Sequence, residues 1–236
     1  MTKRFVLALL SLVISCSFCA AQTTVVDVMD KSTVKCAVHM SGTVEFTESE
    51  LQGQHHTSYA SHVSATNLSK EPIITLVTRT RIGNSLGALV DEHHQLDAFF
   101  AHGLEIAPGQ TSIHKHDDSG QFITPVPKGA AKVAPAVSSQ VIFVQFADGS
   151  ACGDINDGSV TSLMDARADL LLALKRIDKA AKLGEDKFLK ALDDKATDRT
   201  GNVEGILGSI QDMQKEKGST AAIEYIRNML DVAASR

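Results

Sequence analysis

All five prolines, all nine histidines and the only two cysteines beyond residue 21 of this 236-residue chain fall before residue 153. The sequence after it is rich in Leu, Ala, Lys and Asp, with helical spacing of its apolar residues. Proline lacks a backbone donor and punctuates strands and turns, so a chain partitioned in this way is neither a uniform helical bundle nor an alternating βα repeat. It must fold as two unlike parts. Charge divides at the same place, near Asp157-Gly158: residues 22–157 carry 15 acids and 8 bases, a net of −7, whereas residues 158–236 carry 13 of each. The expected class is α+β with segregated elements: an N-terminal antiparallel β-sandwich over residues 22–157, followed by three to four helices over residues 158–236.

Residues 1–21 are expected to be a removed secretory signal. Lys3 and Arg4 precede an apolar run from Phe5 to Ile14, and Cys19-Ala20-Ala21 supplies small residues before Gln22. The run is shorter than the roughly 20 residues that span a bilayer, and no later stretch approaches that length, so no membrane span is expected. The alternative is a lipid anchor at Cys16, although Val13-Ile14-Ser15 departs from the residues that usually precede an acylated cysteine. Either way the protein is exported, to the periplasm or outside the cell. Cys36 and Cys152 then remain as the only pair, either bonded in an oxidising compartment or present as two buried thiols.

Strand patterns run from Thr57 to Thr66, from Pro72 to Ile82 and from Val137 to Phe146. The last is apolar on both faces and should be central, with Asp148-Gly149 turning it back through Ala151-Cys152. Gly120 to Pro135 holds three prolines and is expected as the longest irregular loop. In the helical part, Ser162 and Asp165 suggest a capping box for a helix over about 160–183, with Leu163, Leu170 and Ile177 every seven residues and Ala166, Ala173 and Ala180 three places after each. Further helices are expected over 185–196, over 202–217, and after Ser219 as an N-cap. No charged or polar constellation is expected to project from their apolar faces, so no catalytic or metal site is expected there and their expected role is packing or binding a protein partner.

The histidines are the one feature that invites chemistry. His114, His116 and Asp118 stand at alternate positions, on one face of an extended strand, and Glu92-His93-His94 adds further donors. Two imidazoles and a carboxylate suit a divalent metal. With Pro108-Gly109 before it, the stretch resembles the first metal-binding motif of the cupin β-barrel family. It departs from that motif in having one residue too few between Gly109 and His114, Gln121 near the place of the glutamate, and no second motif. The doublets His55-His56 and His93-His94 put neighbours on opposite strand faces, which suits solvent better than one coordination sphere.

Asp148-Gly149-Ser150 reads as a turn, and Asp154-Ile155-Asn156-Asp157-Gly158 as the joint between the two parts. No nucleophile elbow, phosphate loop or paired zinc cysteines occur. The net charge of −5 excludes binding driven by phosphate contacts, so no nucleic-acid partner is expected, and the absence of Trp disfavours a sugar platform.

A wider resemblance covers roughly residues 34–155. Thr66-Asn67-Leu68-Ser69-Lys70-Glu71-Pro72-Ile73, then Ala107-Pro108-Gly109, then Val141 to Gly153 resemble the turns of exported bacterial immunoglobulin- or fibronectin-like sandwich domains. There an Asn-x-Ser turn joins two early strands, a Pro-Gly turn follows a middle strand and an Asp-Gly hairpin closes the last. The resemblance implies a fold and an exported location, and it carries no catalytic residue. The sequence therefore favours a non-enzymatic protein acting by binding or structural interaction, with residues 158–236 as the surface for a protein partner. The alternative is a metal-binding protein or metal-dependent enzyme using His114, His116 and Asp118.

Overall fold

A computed structural model describes residues 22–113, 118–194 and 201–236. The strands are β1 (Gln22–Asp27), β2 (Met29–Asp30), β3 (Val38–Leu51), β4 (Gln54–Asn67), β5 (Ile73–Gly83), β6 (Leu89–Asp97), β7 (Thr111–Ile113), β8 (Asp118–Pro125), β9 (Ala136–Phe146) and β10 (Ala151–Gly153). They form two sheets. One has the order β1-β3-β4, with β7 and β8 both on the far side of β4; the other has the order β10-β9-β5-β6, with β2 added beside β9. The sandwich is antiparallel as expected except at β2, which runs parallel to β9. The chain enters on one sheet and crosses at Val28 to the other.

The longest ladder is the β3–β4 hairpin. Its two-residue turn, Gln52-Gly53, has φ of 53° and 76°, the left-handed pair that matches strand twist. Alternation then turns Val44, Phe46, Tyr59 and Val63 inward against Leu76, Ile82, Val141 and Val144 of the other sheet. β9 is central, as its two-faced apolar run requires: Val144 and Phe146 fill the sandwich, while Ile142 and Phe143 face outward under the helices. A bulge at this point of the β5–β9 ladder lets both consecutive residues face outward.

The expected loop from Gly120 to Pro135 is strand as far as Pro125. Gly120 lies opposite Tyr59, and a Cβ there would fall 2.2 Å from the Tyr59 hydroxyl, so the glycine is the space the ring occupies. Proline is tolerated because β8 lies at the sheet edge and ends there. Asn67 is fully buried; its amide donates to the carbonyls of Glu71 and Ile106 at 2.8 Å each, and its Oδ1 accepts from the Ser69 amide at 2.9 Å.

Four helices follow: α1 (Gly158–Ala181), α2 (Glu185–Asp193), α3 (Gly201–Lys217) and α4 (Ser219–Ala234). Two expected caps differ. Asp157, not Ser162, caps α1 by accepting from the Ser159 amide at 3.0 Å, and Gly218 precedes α4 while the Ser219 hydroxyl donates to Glu185 at 2.6 Å. The buried residues of α1 are Val160, Leu163, Ala166, Arg167, Leu170, Leu174, Ile177 and Asp178, so the expected Leu163, Ala166, Leu170 and Ile177 are joined by Leu174 and by two charged residues, while Ala173 is only partly buried. Val160 and Leu163 lie on Val77, Ile142 and Phe143, making α1 a third layer on the outer face of the second sheet. Beyond it, α2, α3 and α4 close a second core around Leu174, Phe188, Leu207 and Ile226, into which Phe100 projects from the β6–β7 connection.

Cys36 and Cys152 are bonded, with an S–S distance of 2.00 Å. The bond fastens the one-turn 3-10 helix Val34–Cys36 to β10, immediately before α1 begins. Among the described residues no helix is long and apolar enough to cross a membrane.

Candidate functional site

Where the helices meet the sandwich, a cleft of about 470 Å³ remains. Leu163, Ala166 and Leu170 of α1 form one wall, and Val203, Gly205 and Ile206 of α3 with Tyr225 and Met229 of α4 form the other. Gln95 and Asp97 at the end of β6, followed by Phe100, Ala101 and Leu104, close the sandwich side. The local reason is geometric. Outward positions of β6 face α1, and Ala98, Phe99 and Phe100 then carry the chain beneath the helices, where the Phe99 and Phe100 rings meet edge to face at 5.1 Å.

One charged node organises the cleft. Arg167, with an 8 % exposed side chain, pairs in bidentate fashion with Asp97: Nε donates to Oδ2 at 2.9 Å and Nη2 to Oδ1 at 2.6 Å. Nη2 also donates to the Thr75 hydroxyl, and Nη1 to Gln145 Oε1 at 2.9 Å. The guanidinium carbon lies 4.5 Å from the centroid of the Phe99 ring. The expectation that no charged or polar constellation projects from the apolar helix faces is corrected here: Arg167 is buried because β5, β6 and β9 together present acceptors for it.

Two other polar clusters lie in the sandwich. His55 is 1 % exposed, with Nε2 3.3 Å from both Ser85 Oγ and Glu48 Oε1. The expectation that the His55-His56 doublet faces solvent therefore fails for His55, although the two do alternate faces. Burial opposes ionisation of Glu48, but bonds from Ser85 and His55 outweigh it and hold its carboxyl below the usual value. Serine, histidine and glutamate are together, yet Glu48 shares the nitrogen that a serine nucleophile would need and also accepts the Ser85 amide at 3.0 Å. The cluster is a clamp on the hairpin tip, and it also engages the 126–135 loop through Lys132 on Glu50 at 2.9 Å. In the second cluster, Glu92 accepts from Ser61 at 3.3 Å and lies 3.7 Å from His94 Nε2. Burial again opposes its ionisation, while His94, Tyr59 and Ser61 bring its carboxyl below the usual value.

His114 and His116, two of the three expected metal ligands, lie outside the described residues. Asp118, the third, opens β8 directly across the ladder from Ser61. Among the described residues no three His, Cys, Asp or Glu side chains are grouped to hold a metal ion. Asp148 closes a turn on the Ser150 amide at 2.9 Å and Asp154 one on Asn156 at 2.9 Å, as their turn readings require. Cys16 also lies outside the described residues.

The cleft was not visible in the sequence. Its polar pair joins residues 70 positions apart, and only the unusual density of Phe99-Phe100 next to an acid marks its sandwich side. In comparisons with family models and with curated proteins, nothing matches the chain.

Proposed function

We propose that this is an exported binding protein that takes up a small molecule in the cleft between its sandwich and its helices. The observation that carries the reading is the cleft itself: its volume lies in the range of small-molecule sites, its walls are mainly apolar, and four polar side chains, Gln95, Asp97, Arg167 and Tyr225, line it. Export is supported by the signal-like character of residues 1–21 and by the Cys36–Cys152 bond, which belongs to oxidising compartments. The sandwich, of immunoglobulin-like character in its turns, serves as one rigid support, and the helices, which share a core with it through Phe100, supply the opposite wall. This places a ligand where residues 158–236 were expected to bind a protein.

The test is a titration of the mature chain, residues 22–236 without an affinity tag, with the uncharged fluorophore N-phenyl-1-naphthylamine. Absence of Trp keeps the background low. Saturable binding at one probe per chain is expected, and it should be lost in Gly205→Phe. Gly205 lines the cleft and a Cβ there would meet nothing within 4 Å, so a bulky side chain can be added at this wall without displacing the helix. No saturable binding, or binding unchanged in the variant, overturns the reading.

A second reading, metal binding by His114, His116 and Asp118, is favoured by one observation. Asp118 stands across from Ser61, whose hydroxyl is bonded to Glu92 beside His94. Stoichiometric metal in the purified mature chain that disappears in His114→Ala/His116→Ala would support it; metal content unchanged by the substitutions would sink it.

A further inference from the structure

We infer that the cleft selects an uncharged ligand, an apolar chain or ring system with at most a neutral hydrogen-bonding group, and discriminates against carboxylates, phosphates and ammonium groups. This rests on the binding reading above and narrows it to a ligand class. Among the described lining residues, Arg167 is the only cation and Asp97 the only anion, and each is committed to the other. Arg167 has no N–H to spare. Nε and Nη2 hold the two Asp97 oxygens, Nη2 also holds Thr75, and Nη1 bonds Gln145 Oε1 at 2.9 Å with Met164 Sδ at 3.6 Å. Asp97 is similarly engaged, because Oδ1 also accepts the Phe99 amide at 3.0 Å.

An entering anion would have to displace Asp97 from the guanidinium and leave that carboxylate without its partner. An entering cation finds Asp97 already neutralised by Arg167, with the Phe99 amide on Oδ1 as well, and displacing the guanidinium would strand it against β5, β6 and β9. Either exchange strands a charge in a poorly solvated place, and an unexchanged charged ligand brings its own desolvation cost. A hydroxyl or amide meets no such obstacle. The Gln95 amide and the Tyr225 phenol line the same cleft and can exchange hydrogen bonds with a neutral group. The rest of the wall, including Phe100, Leu163, Leu170, Ile206 and Met229, offers only apolar surface.

Decanamide and decanoate have the same chain and nearly the same shape and differ in charge; decylamine supplies the cation. Each is used at pH 7 to displace N-phenyl-1-naphthylamine from the mature chain. Decanamide is expected to displace the probe at concentrations at least roughly tenfold below those needed for either charged compound. Displacement by decanoate or decylamine as effective as by decanamide would overturn the inference while leaving the cleft a binding site. Absence of saturable probe binding would remove the binding reading and the inference with it. Asp97→Asn gives an independent readout, since it leaves the Arg167 charge unmatched: decanoate should then gain roughly tenfold or more over its wild-type value. A folded variant, checked by circular dichroism, in which decanoate gains nothing would count against the inference.

Discussion

Arg167 shows how much can rest on one side chain. It holds groups from β5, β6 and β9 at once, so its partners lose more than a surface ion pair when it is disturbed. Removing one member of a buried pair leaves the other uncompensated, and Asp97→Ala should therefore cost about 3–5 kcal/mol in urea denaturation. Adding Arg167→Met to it should recover part of the loss, because a charge no longer has to be buried; a double variant less stable than Asp97→Ala would refute this account. At the same scale, Gly208 of α3 is a helix-interior glycine with open space where a Cβ would be. Gly208→Ala should raise stability by up to about 1 kcal/mol, read as a higher denaturation midpoint. Neither residue could be interpreted from the sequence. Arg167 sits between Leu163 and Leu170 like any charge on a helix flank, and its burial follows only from a partner 70 residues away.

Elements were more legible than residues, for reasons that differ between the two halves. The four helices announce themselves because their apolar spacing and their glycine stops are local. β5 and β9 were visible because they are dense in β-branched residues. β4 was read in part, as Thr57 to Thr66, but β3 and the hairpin joining them were not, since Gln52-Gly53 lacks the Asn-Gly or Asp-Gly signature and many outward positions are Ser, Thr or His. Caps were legible only as a choice among nearby polar residues. Asp157→Ala should remove the α1 cap and cost about 1 kcal/mol, whereas Ser162→Ala, whose hydroxyl only donates back to the Gly158 carbonyl, should cost little, as thermal denaturation of the two variants would show. The join between α1 and α4 should respond to pH. The Lys182 ammonium at 2.6 Å, with Arg227 at 3.0 Å, holds the Asp178 carboxyl below its ordinary 3.8, against the opposing effect of burial. A depressed folded value means that its stabilisation is complete above the unfolded value, near pH 4, and is lost as pH falls through the folded one. Asp178→Asn should therefore narrow the difference in midpoint between pH 7 and pH 3; an unchanged difference would show that the pair contributes nothing.

At the scale of the whole molecule, the compositional break near Asp157 marks a change of secondary structure but not a break in packing. Phe100 belongs to the chain before that break and to the core formed after it, and Arg236 reaches back from the end of α4 to Glu105. That sharing could not be read from composition, which reports where residue types change and is silent about which segment fills whose core. It predicts that sandwich and helices unfold as one unit. The disulfide makes the prediction testable, because both cysteines lie in the sandwich half while Cys152 precedes α1 by only a short turn. A bond between residues separated by 116 positions restricts the unfolded chain by about 4–5 kcal/mol in the chain-entropy model. Cys36→Ala/Cys152→Ala should thus lower the urea midpoint for the entire chain. With Tyr225→Phe in the background, Tyr59 is the sole tyrosine and reports on the sandwich, while circular dichroism at helical wavelengths reports on α1 to α4. If the core is shared, both signals move together to the lower midpoint in the cysteine-free protein. If only the Tyr59 signal moves and the helical signal stays where it was, the two halves are independent, and a cleft formed between them would lack the fixed walls that selective binding requires.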